Sequence, residues 1–175
     1  PEKYDYIDKE VMYAGAAFEH WGHFLTEITN RLYWFIENRE KYPNIKLAFI
    51  QYINPNFDFK NTYQEFLEML GITKDDYIFV TKPTKFKTVV VPEYSSMLGT
   101  KYKKEFIKIF NKIKKQVTPT NYKKIYFSRQ KIYNEHNIIG EKAFEKIFKK
   151  NGFRIVYPEK LSFKEQVSLI QGADY

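Results

Sequence analysis

The 175-residue chain contains no cysteine, no long apolar run, only seven glycines and only three histidines. Without cysteine it has neither disulfide bonds nor thiolate metal ligands, which fits a reducing compartment. No run approaches the roughly 18 apolar residues of a membrane span, and no signal peptide opens the sequence. With 43% hydrophobic residues the chain has enough apolar surface for a core. We therefore expect a folded, soluble protein.

Negative charge is scarce relative to positive charge, because 21 acidic residues face 29 lysines and arginines, a net charge of +8. Seven lysines follow one helical pattern: Lys101, Lys103, Lys104, Lys108, Lys112, Lys114 and Lys115. Lysine reads bases less well than arginine, so this run favours a solvated helix face. A lysine-rich nucleic-acid-binding module stays an alternative, although the chain has no recognisable helix-turn-helix, aromatic RNA-binding motif or GxxG loop. An anionic membrane face is a further partner that the charge admits.

Apolar runs of strand length alternate with amphipathic segments of helix length. The predicted strands are residues 11–17, 46–52, 77–80, 88–91, 125–127 and 153–157, and the predicted helices are residues 21–39, 62–70, 101–117, 141–150 and 162–171. This alternation predicts an α/β fold with parallel sheets. Pro119 cannot continue a helix and its neighbours favour a turn. We therefore expect two units, residues 1–117 and 122–175, joined by a linker at residues 118–121.

The second predicted unit begins a doubly wound parallel sheet. Ser162 and Glu165 have the spacing of a capping box, which marks the start of its last helix. The helices that begin near Glu141 and Ser162 follow the carboxyl ends of strands, where such sheets bind ligands.

The predicted helix over residues 21–39 is the chemically richest segment of the chain. Its buried stripe consists of Leu25, Ile28, Leu32 and Phe35, and its opposite face carries His20, His23, Glu27 and Asn30. Such a polar face is ordinarily solvated. Because Phe24 and Trp34 flank it, we expect a cleft wall instead.

The spacing of His20, His23 and Glu27 also admits a metal-binding hydrolase, since the i, i+3 and i+7 positions share one helix face. The segment lacks the HExxH order of zinc hydrolases, and His136 is the one remaining imidazole. The metal-binding interpretation therefore stays an alternative.

Four segments carry a resemblance to a known family. They are WGHFLTE at residues 21–27, VVVPE at residues 89–93, IYFSR at residues 125–129 and GFRIVYPEKLSFKEQ at residues 152–166. Together they resemble family 61 glycosyltransferases, which include bacterial capsular polysaccharide biosynthesis proteins. The similarity runs from about residue 14 onwards and is most specific over residues 124–173.

The resemblance assigns roles to five residues. The family's histidine, with an acidic residue four positions on, falls on His23 and Glu27, which are the implied catalytic residues. Its Ser-Arg pair falls on Ser128 and Arg129, and the glutamate that opens the next helix falls on Glu141. These three are the implied donor and phosphate-binding residues.

Two departures from the family pattern stand out. Gly140 precedes Glu141 where the family commonly has asparagine, so the pair Asn134-Glu135 is a competing match. The family's glycine-rich, histidine-containing segment would begin just past Tyr175. Since the chain also begins at Pro1 rather than methionine, we expect a fragment truncated before that donor-site motif.

The resemblance implies a GT-B-like fold with two Rossmann-like units, the first facing the acceptor and the second, incomplete, binding the donor. It implies an inverting transfer of sugar from a nucleotide-sugar donor to a glycan hydroxyl, without cofactor or metal and without nucleic acid as partner. We expect a cytoplasmic enzyme of capsular or other cell-surface polysaccharide synthesis, with peripheral contact to the inner face of the membrane as an added expectation. An inverting transfer requires a general base and cationic stabilisation of the leaving diphosphate. Glu27 with His23 would supply the base, and Arg129 would supply part of the stabilisation by contacting phosphate.

Overall fold

The computed structural model describes residues 3–51, 54, 56–97, 100–132 and 139–175. It divides into two compact units, Pro1–Ile113 and Lys114–Tyr175. The strands are β1 (Asp5–Ala16), β2 (Lys46–Ile50), β3 (Tyr77–Val80), β4 (Thr84–Val90), β5 (Ser96–Met97), β6 (Lys101–Tyr102), β7 (Ile125–Phe127) and β8 (Arg154–Val156). The α-helices are α1 (Trp21–His23), α2 (Leu32–Asn38), α3 (Thr62–Met69), α4 (Lys104–Lys114), α5 (Glu141–Lys150) and α6 (Phe163–Gly172). The predicted α/β class is confirmed.

The first unit contains a four-stranded sheet in the order β3-β2-β1-β4, and all three pairings are parallel. From β1 the chain moves to β2 and β3 on one side, and β4 then lies on the other side of β1. The strand order thus reverses at β1, the topological switch point at which open α/β sheets bind ligands outside the carboxyl ends of their strands.

Strand β1 is longer than the predicted residues 11–17. Its first half, from Asp5 to Glu10, is largely exposed and therefore carries no apolar signal. Pairing with β4, in which Asp5 lies opposite Thr84, makes this half a strand. The same pairing extends β4 four residues before its predicted start. Register here depends on hydrogen bonding rather than on burial.

The predicted continuous helix over residues 21–39 is helical but not uniform. Between α1 and α2 it forms a π-helical turn, Phe24–Ile28, and a 3-10 turn, Thr29–Arg31. We call residues 21–38 the composite helix. Its changes of pitch alter the angle per residue, so side chains no longer follow the 100° spacing that the prediction assumed.

Three side-chain placements on the composite helix were therefore predicted wrongly. Leu25, expected in the buried stripe, is only half-buried. Phe24, expected beside a cleft, is fully buried, and its ring lies 5.2 Å from that of Phe66 in the aromatic core. Asn30, expected on the polar face, is 3% exposed. Trp34 stacks on Tyr42 with ring centroids 5.7 Å apart.

The described lysine run is largely a solvated surface. Helix α4 begins at Lys104, so the predicted start at residue 101 is wrong, because Lys101 lies in β6 and pairs with β5. Lys108 forms an ion pair with Glu37 at 3.1 Å.

In the second unit, β7 and β8 pair in parallel with α5 between them in the chain. The capping box of Ser162 and Glu165 is confirmed at the start of α6. No helix among the described residues has both the length and the apolar composition to cross a membrane.

Candidate active site

His23 and Glu27 form a close side-chain pair across one turn of the composite helix. His23 Nδ1 lies 2.5 Å from Glu27 Oε1, and both side chains are a little under half exposed. Glu27 lies in the π-helical turn. Turns of this kind are frequently found at functional sites. A carboxylate bound to one imidazole nitrogen fixes the orientation of the ring and leaves the other nitrogen available for proton transfer. We call this hydrogen-bonded pair of His23 and Glu27 the dyad.

His20 has a different position from the one that a metal site requires. Its Nδ1 accepts the backbone N–H of His23 at 3.2 Å and so caps α1. The two histidine rings meet edge to face with centroids 4.3 Å apart. Among the described residues no three His, Asp or Glu side chains come together to hold a metal ion. His136, Asn134 and Glu135 lie outside the described residues.

The irregular turns of the composite helix are held by the loop after β4, residues 91–97. Ser96 Oγ donates to the carbonyl of Thr26 at 2.9 Å, and the hydroxyl and the N–H of Ser95 both donate to the carbonyl of Asn30. Two backbone carbonyls of the composite helix thus accept hydrogen bonds from this segment. Thr29 adds a bond of its own hydroxyl to the carbonyl of Leu25 at 2.8 Å, a contact that bends helices.

A pocket of about 340 Å³ opens where β1 ends and the chain leaves β4. We call it the β1–β4 pocket. It is lined by Tyr13, Gly15, Ala16, Phe18, Glu27, Ile28, Asn30, Arg31, Tyr94, Ser96 and Met97. His23 is not a lining residue, but it contacts two of them, since its ring is 5.5 Å from that of Phe18 and its Nδ1 is 2.5 Å from Glu27 Oε1. The dyad therefore borders a ligand-sized cavity at the switch point of the sheet.

Arg31 is the member of this pocket that sequence reasoning missed. It is 6% exposed, its Nε donates to the carbonyl of Pro92 at 2.9 Å, and its guanidinium lies 3.7 Å from the centre of the Tyr94 ring. The signal in the sequence was weak, because an arginine on a helix is usually a surface residue. The 3-10 turn is what places Arg31 inside.

In the second unit, Ser128 and Glu141 are buried and engaged within the protein. The Ser128 hydroxyl donates to Glu145 at 2.6 Å. Glu141, the first residue of α5, accepts the backbone N–H of Arg129 and the hydroxyl of Tyr126, both at 2.9 Å. The backbone N–H of Arg129 and the Tyr126 hydroxyl hold the pKa of Glu141 below its usual value although the carboxyl is buried. Glu141 thereby joins the end of β7 to the start of α5.

Arg129 differs from its two neighbours in this cluster. Its residue is exposed, and its guanidinium forms no ion pair with any described residue. Of the three residues that the resemblance assigned to donor binding, Arg129 is the one that is exposed. His23 and Glu27 belong to the first unit, and these three belong to the second.

A comparison with protein-family models complements this geometry. The model described as Glycosyltransferase 61 matches residues 21–175, well over half of the chain. The match includes His23, Glu27, Ser128, Arg129 and Glu141. Searches of curated proteins and of solved structures found no match. The chain therefore belongs to glycosyltransferase family 61 and is a glycosyltransferase, an enzyme with a donor and an acceptor substrate.

Proposed function

We propose that this protein is an inverting glycosyltransferase that moves a sugar from a nucleotide-sugar donor to a glycan hydroxyl. The observation that carries the proposal is the 2.5 Å contact between His23 Nδ1 and Glu27 Oε1 at the edge of the β1–β4 pocket. A histidine held in this way is a ready general base, and an inverting transfer needs one.

In the proposed reaction His23 Nε2 takes the proton of the acceptor hydroxyl. The hydroxyl oxygen attacks the anomeric carbon from the face opposite the leaving group. The new C–O bond forms as the bond to the nucleotide diphosphate breaks, and the diphosphate leaves with that electron pair. Glu27 stabilises the imidazolium that forms, as the carboxylate of a catalytic triad does.

His23 suits the role of base better than Glu27. The Glu27 oxygen nearest the ring is already committed to Nδ1, whereas Nε2 is the ring nitrogen that this contact leaves available. Glu27 is then the residue that orients the ring and selects its tautomer. Both residues stay in the catalytic pair.

On the donor side we propose a GT-B-like arrangement in which the second unit is Rossmann-like and binds the nucleotide diphosphate. The exposed guanidinium of Arg129 would contact phosphate by two parallel hydrogen bonds. Ser128 and Glu141 would act on the donor through Arg129, because their side chains are engaged in holding the β7–α5 connection. The proposed mechanism requires no metal and no other cofactor.

We place the reaction in the cytoplasm, in capsular or other cell-surface polysaccharide synthesis. The four sequence segments that resemble capsular polysaccharide proteins support this placement. A net charge of +8 is compatible with peripheral contact between the protein and an anionic membrane.

The test is an assay of the purified chain with a panel of nucleotide-sugar donors at millimolar concentration and a mixture of glycan acceptors. Release of nucleotide diphosphate and the anomeric configuration of the product are measured. We expect an inverted product, and a His23→Ala variant about 10²- to 10⁴-fold slower.

The matched control is His20→Asn, which keeps a side-chain acceptor for the N-terminus of α1. This variant should retain most of the activity. A retained anomeric configuration, or equal rates for His23→Ala and the unmodified chain, would count against the proposal.

A further inference from the structure

The β1–β4 pocket contains a buried positive charge without a counter-ion. Arg31 is 6% exposed, yet its guanidinium forms no ion pair with any described residue. Its Nε is bound to the carbonyl of Pro92. Nη1 and Nη2 have no acceptor among the described residues. Buried charges in proteins are normally paired with an opposite charge, so the Arg31 side chain is suited to bind an anionic ligand.

The surroundings of Arg31 determine which part of it a ligand can reach. The Tyr94 ring covers the guanidinium at 3.7 Å from its centre, and the Tyr13 ring lies at 4.9 Å. Both aromatic residues, like Arg31, line the pocket. Since Tyr94 covers one face of the Arg31 guanidinium and Nε is hydrogen-bonded to Pro92, the edge that carries Nη1 and Nη2 is the part that a ligand can reach. Two parallel N–H groups on that edge match the two oxygens of a carboxylate.

Asn30, beside Arg31, is the second unsatisfied group. It is 3% exposed and lines the same pocket, and its Oδ1 is buried without a hydrogen-bond partner. The backbone carbonyl of Asn30 is already bound by Ser95, so only the side chain lacks a partner. A buried amide oxygen without a hydrogen-bond donor is costly in free energy. A ligand hydroxyl, or a water molecule bound together with the ligand, would remove that cost by donating to it.

The Glu27 carboxylate favours a singly charged anion over a doubly charged one in this pocket. Its carboxylate lines the pocket together with Arg31, so a ligand that fills the cavity meets both signs of charge. A doubly charged phosphate would be repelled by Glu27 more strongly than a singly charged carboxylate. Sugar hydroxyls, in contrast, would donate to Glu27 and to Asn30. A volume of about 340 Å³ is at the lower end of the range for ligand pockets.

We infer that the β1–β4 pocket binds an acidic sugar of the acceptor, with Arg31 gripping its carboxylate and Asn30 contacting its hydroxyls. The inference rests on the proposed function for one point, that the sugar bound here is the acceptor. Arg31 would hold the carboxylate while another hydroxyl of the same glycan faces His23. Specificity for acidic acceptors would follow, since a neutral sugar would leave the buried charge unpaired.

The test is a protein-observed NMR titration of the full chain with sodium D-glucuronate, D-glucose and inorganic phosphate as probes. We expect glucuronate to shift the signals of pocket residues at millimolar concentration, and glucose and phosphate to bind at least about tenfold more weakly. Arg31→Gln should weaken glucuronate binding about 10- to 100-fold, the usual effect of losing a charged hydrogen bond. Arg31→Lys keeps the charge without the two-pronged edge and should also bind weakly.

The wild-type titration tests the inference even if the arginine variants do not fold. Glucose binding as tightly as glucuronate, phosphate competing on equal terms, or glucuronate shifts away from the pocket would each overturn it. Transfer to neutral acceptors without glucuronate binding would remove this inference and leave the proposed function standing. Glucuronate binding without any sugar transfer would do the reverse.

Discussion

The two ring nitrogens of His23 have different surroundings. Nδ1 is 2.5 Å from a carboxylate oxygen, so in the neutral ring the proton belongs on Nδ1 and the lone pair on Nε2. The chain has only three histidines, which makes their ring nitrogens easy to assign by NMR.

We predict that long-range ¹H–¹⁵N spectra will show neutral His23 with its proton on Nδ1. Glu27→Ala should remove that preference, because the acceptor that fixes the tautomer is gone. His20→Asn is the control. In this variant neutral His23 should still carry its proton on Nδ1. A neutral His23 protonated on Nε2 in the unmodified chain would contradict the assigned roles.

The Glu141 carboxyl should make the stability of the second unit depend on pH. Its N–H and hydroxyl donors hold its pKa below the usual 4.5 in the folded protein. A carboxyl with a lowered folded pKa stabilises the fold above its unfolded pKa, and this contribution is lost as the pH falls through the folded value. The second unit should therefore lose stability as the pH falls below about 4.5.

The measurement is thermal unfolding as a function of pH for the unmodified chain, Glu141→Gln and the exposed control Glu159→Gln. Glu141→Gln should lower the melting temperature at neutral pH and reduce its dependence on acid. Glu159→Gln should follow the unmodified curve. Parallel curves for Glu141→Gln and the unmodified chain would mean that this carboxyl does not hold the β7–α5 connection.

On the composite helix, the periodicity of apolar residues predicts the burial of some side chains but not of others. Ile28, Leu32 and Phe35 are buried as their spacing predicts. The burial of Phe24 and Asn30 could not be predicted, because it depends on a π-helical and a 3-10 turn stabilised by the distant loop after β4. Hydrogen bonds over some 65 to 70 residues of sequence leave no trace in local spacing. The shared helix face of His23 and Glu27 and a cleft beside it were predicted from sequence, whereas the residues that line the pocket from β1 and from the segment after β4 were not.

The Ser96 hydroxyl should contribute to stability through its hydrogen bond to the composite helix. Ser96→Ala leaves the carbonyl of Thr26 without its side-chain partner, and Ser96 is 7% exposed. The free energy of unfolding should fall by about 1–3 kcal/mol. Thr100→Ala removes an exposed hydroxyl contact to the carbonyl of Met97 and should change it by less than about 0.5 kcal/mol. Urea unfolding of both variants measures the difference, and equal stabilities would show that the loop does not hold the turn.

At the scale of the whole molecule, the alternation of strands and helices was sufficient to predict the α/β class. Local patterns do not encode the order β3-β2-β1-β4, because that order arises from pairing between distant strands. The place of β4 beside β1 creates the switch point and thus the pocket. The GT-B arrangement of the two units stays a prediction.

The 175-residue chain should bind nucleotide sugars weakly. Of its seven glycines, none between Ser128 and Arg154 forms the tight phosphate turn of dinucleotide-binding folds. The start of α5 already holds the Glu141 carboxylate, an anion in the region where a phosphate would bind. Calorimetric titration with nucleoside diphosphates and the matching nucleotide sugars should give dissociation constants in the millimolar range. Micromolar binding would place an assembled donor site within this chain.

We propose that His23 is the base and that Glu27 orients its ring. Turnover at saturating donor should be compared for His23→Ala, Glu27→Gln and the double variant. Because the two residues act as one unit, we predict that the double variant is no slower than His23→Ala and that Glu27→Gln reduces turnover less than His23→Ala does. A Glu27→Gln loss equal to or larger than that of His23→Ala, or two losses that multiply in the double variant, would contradict it.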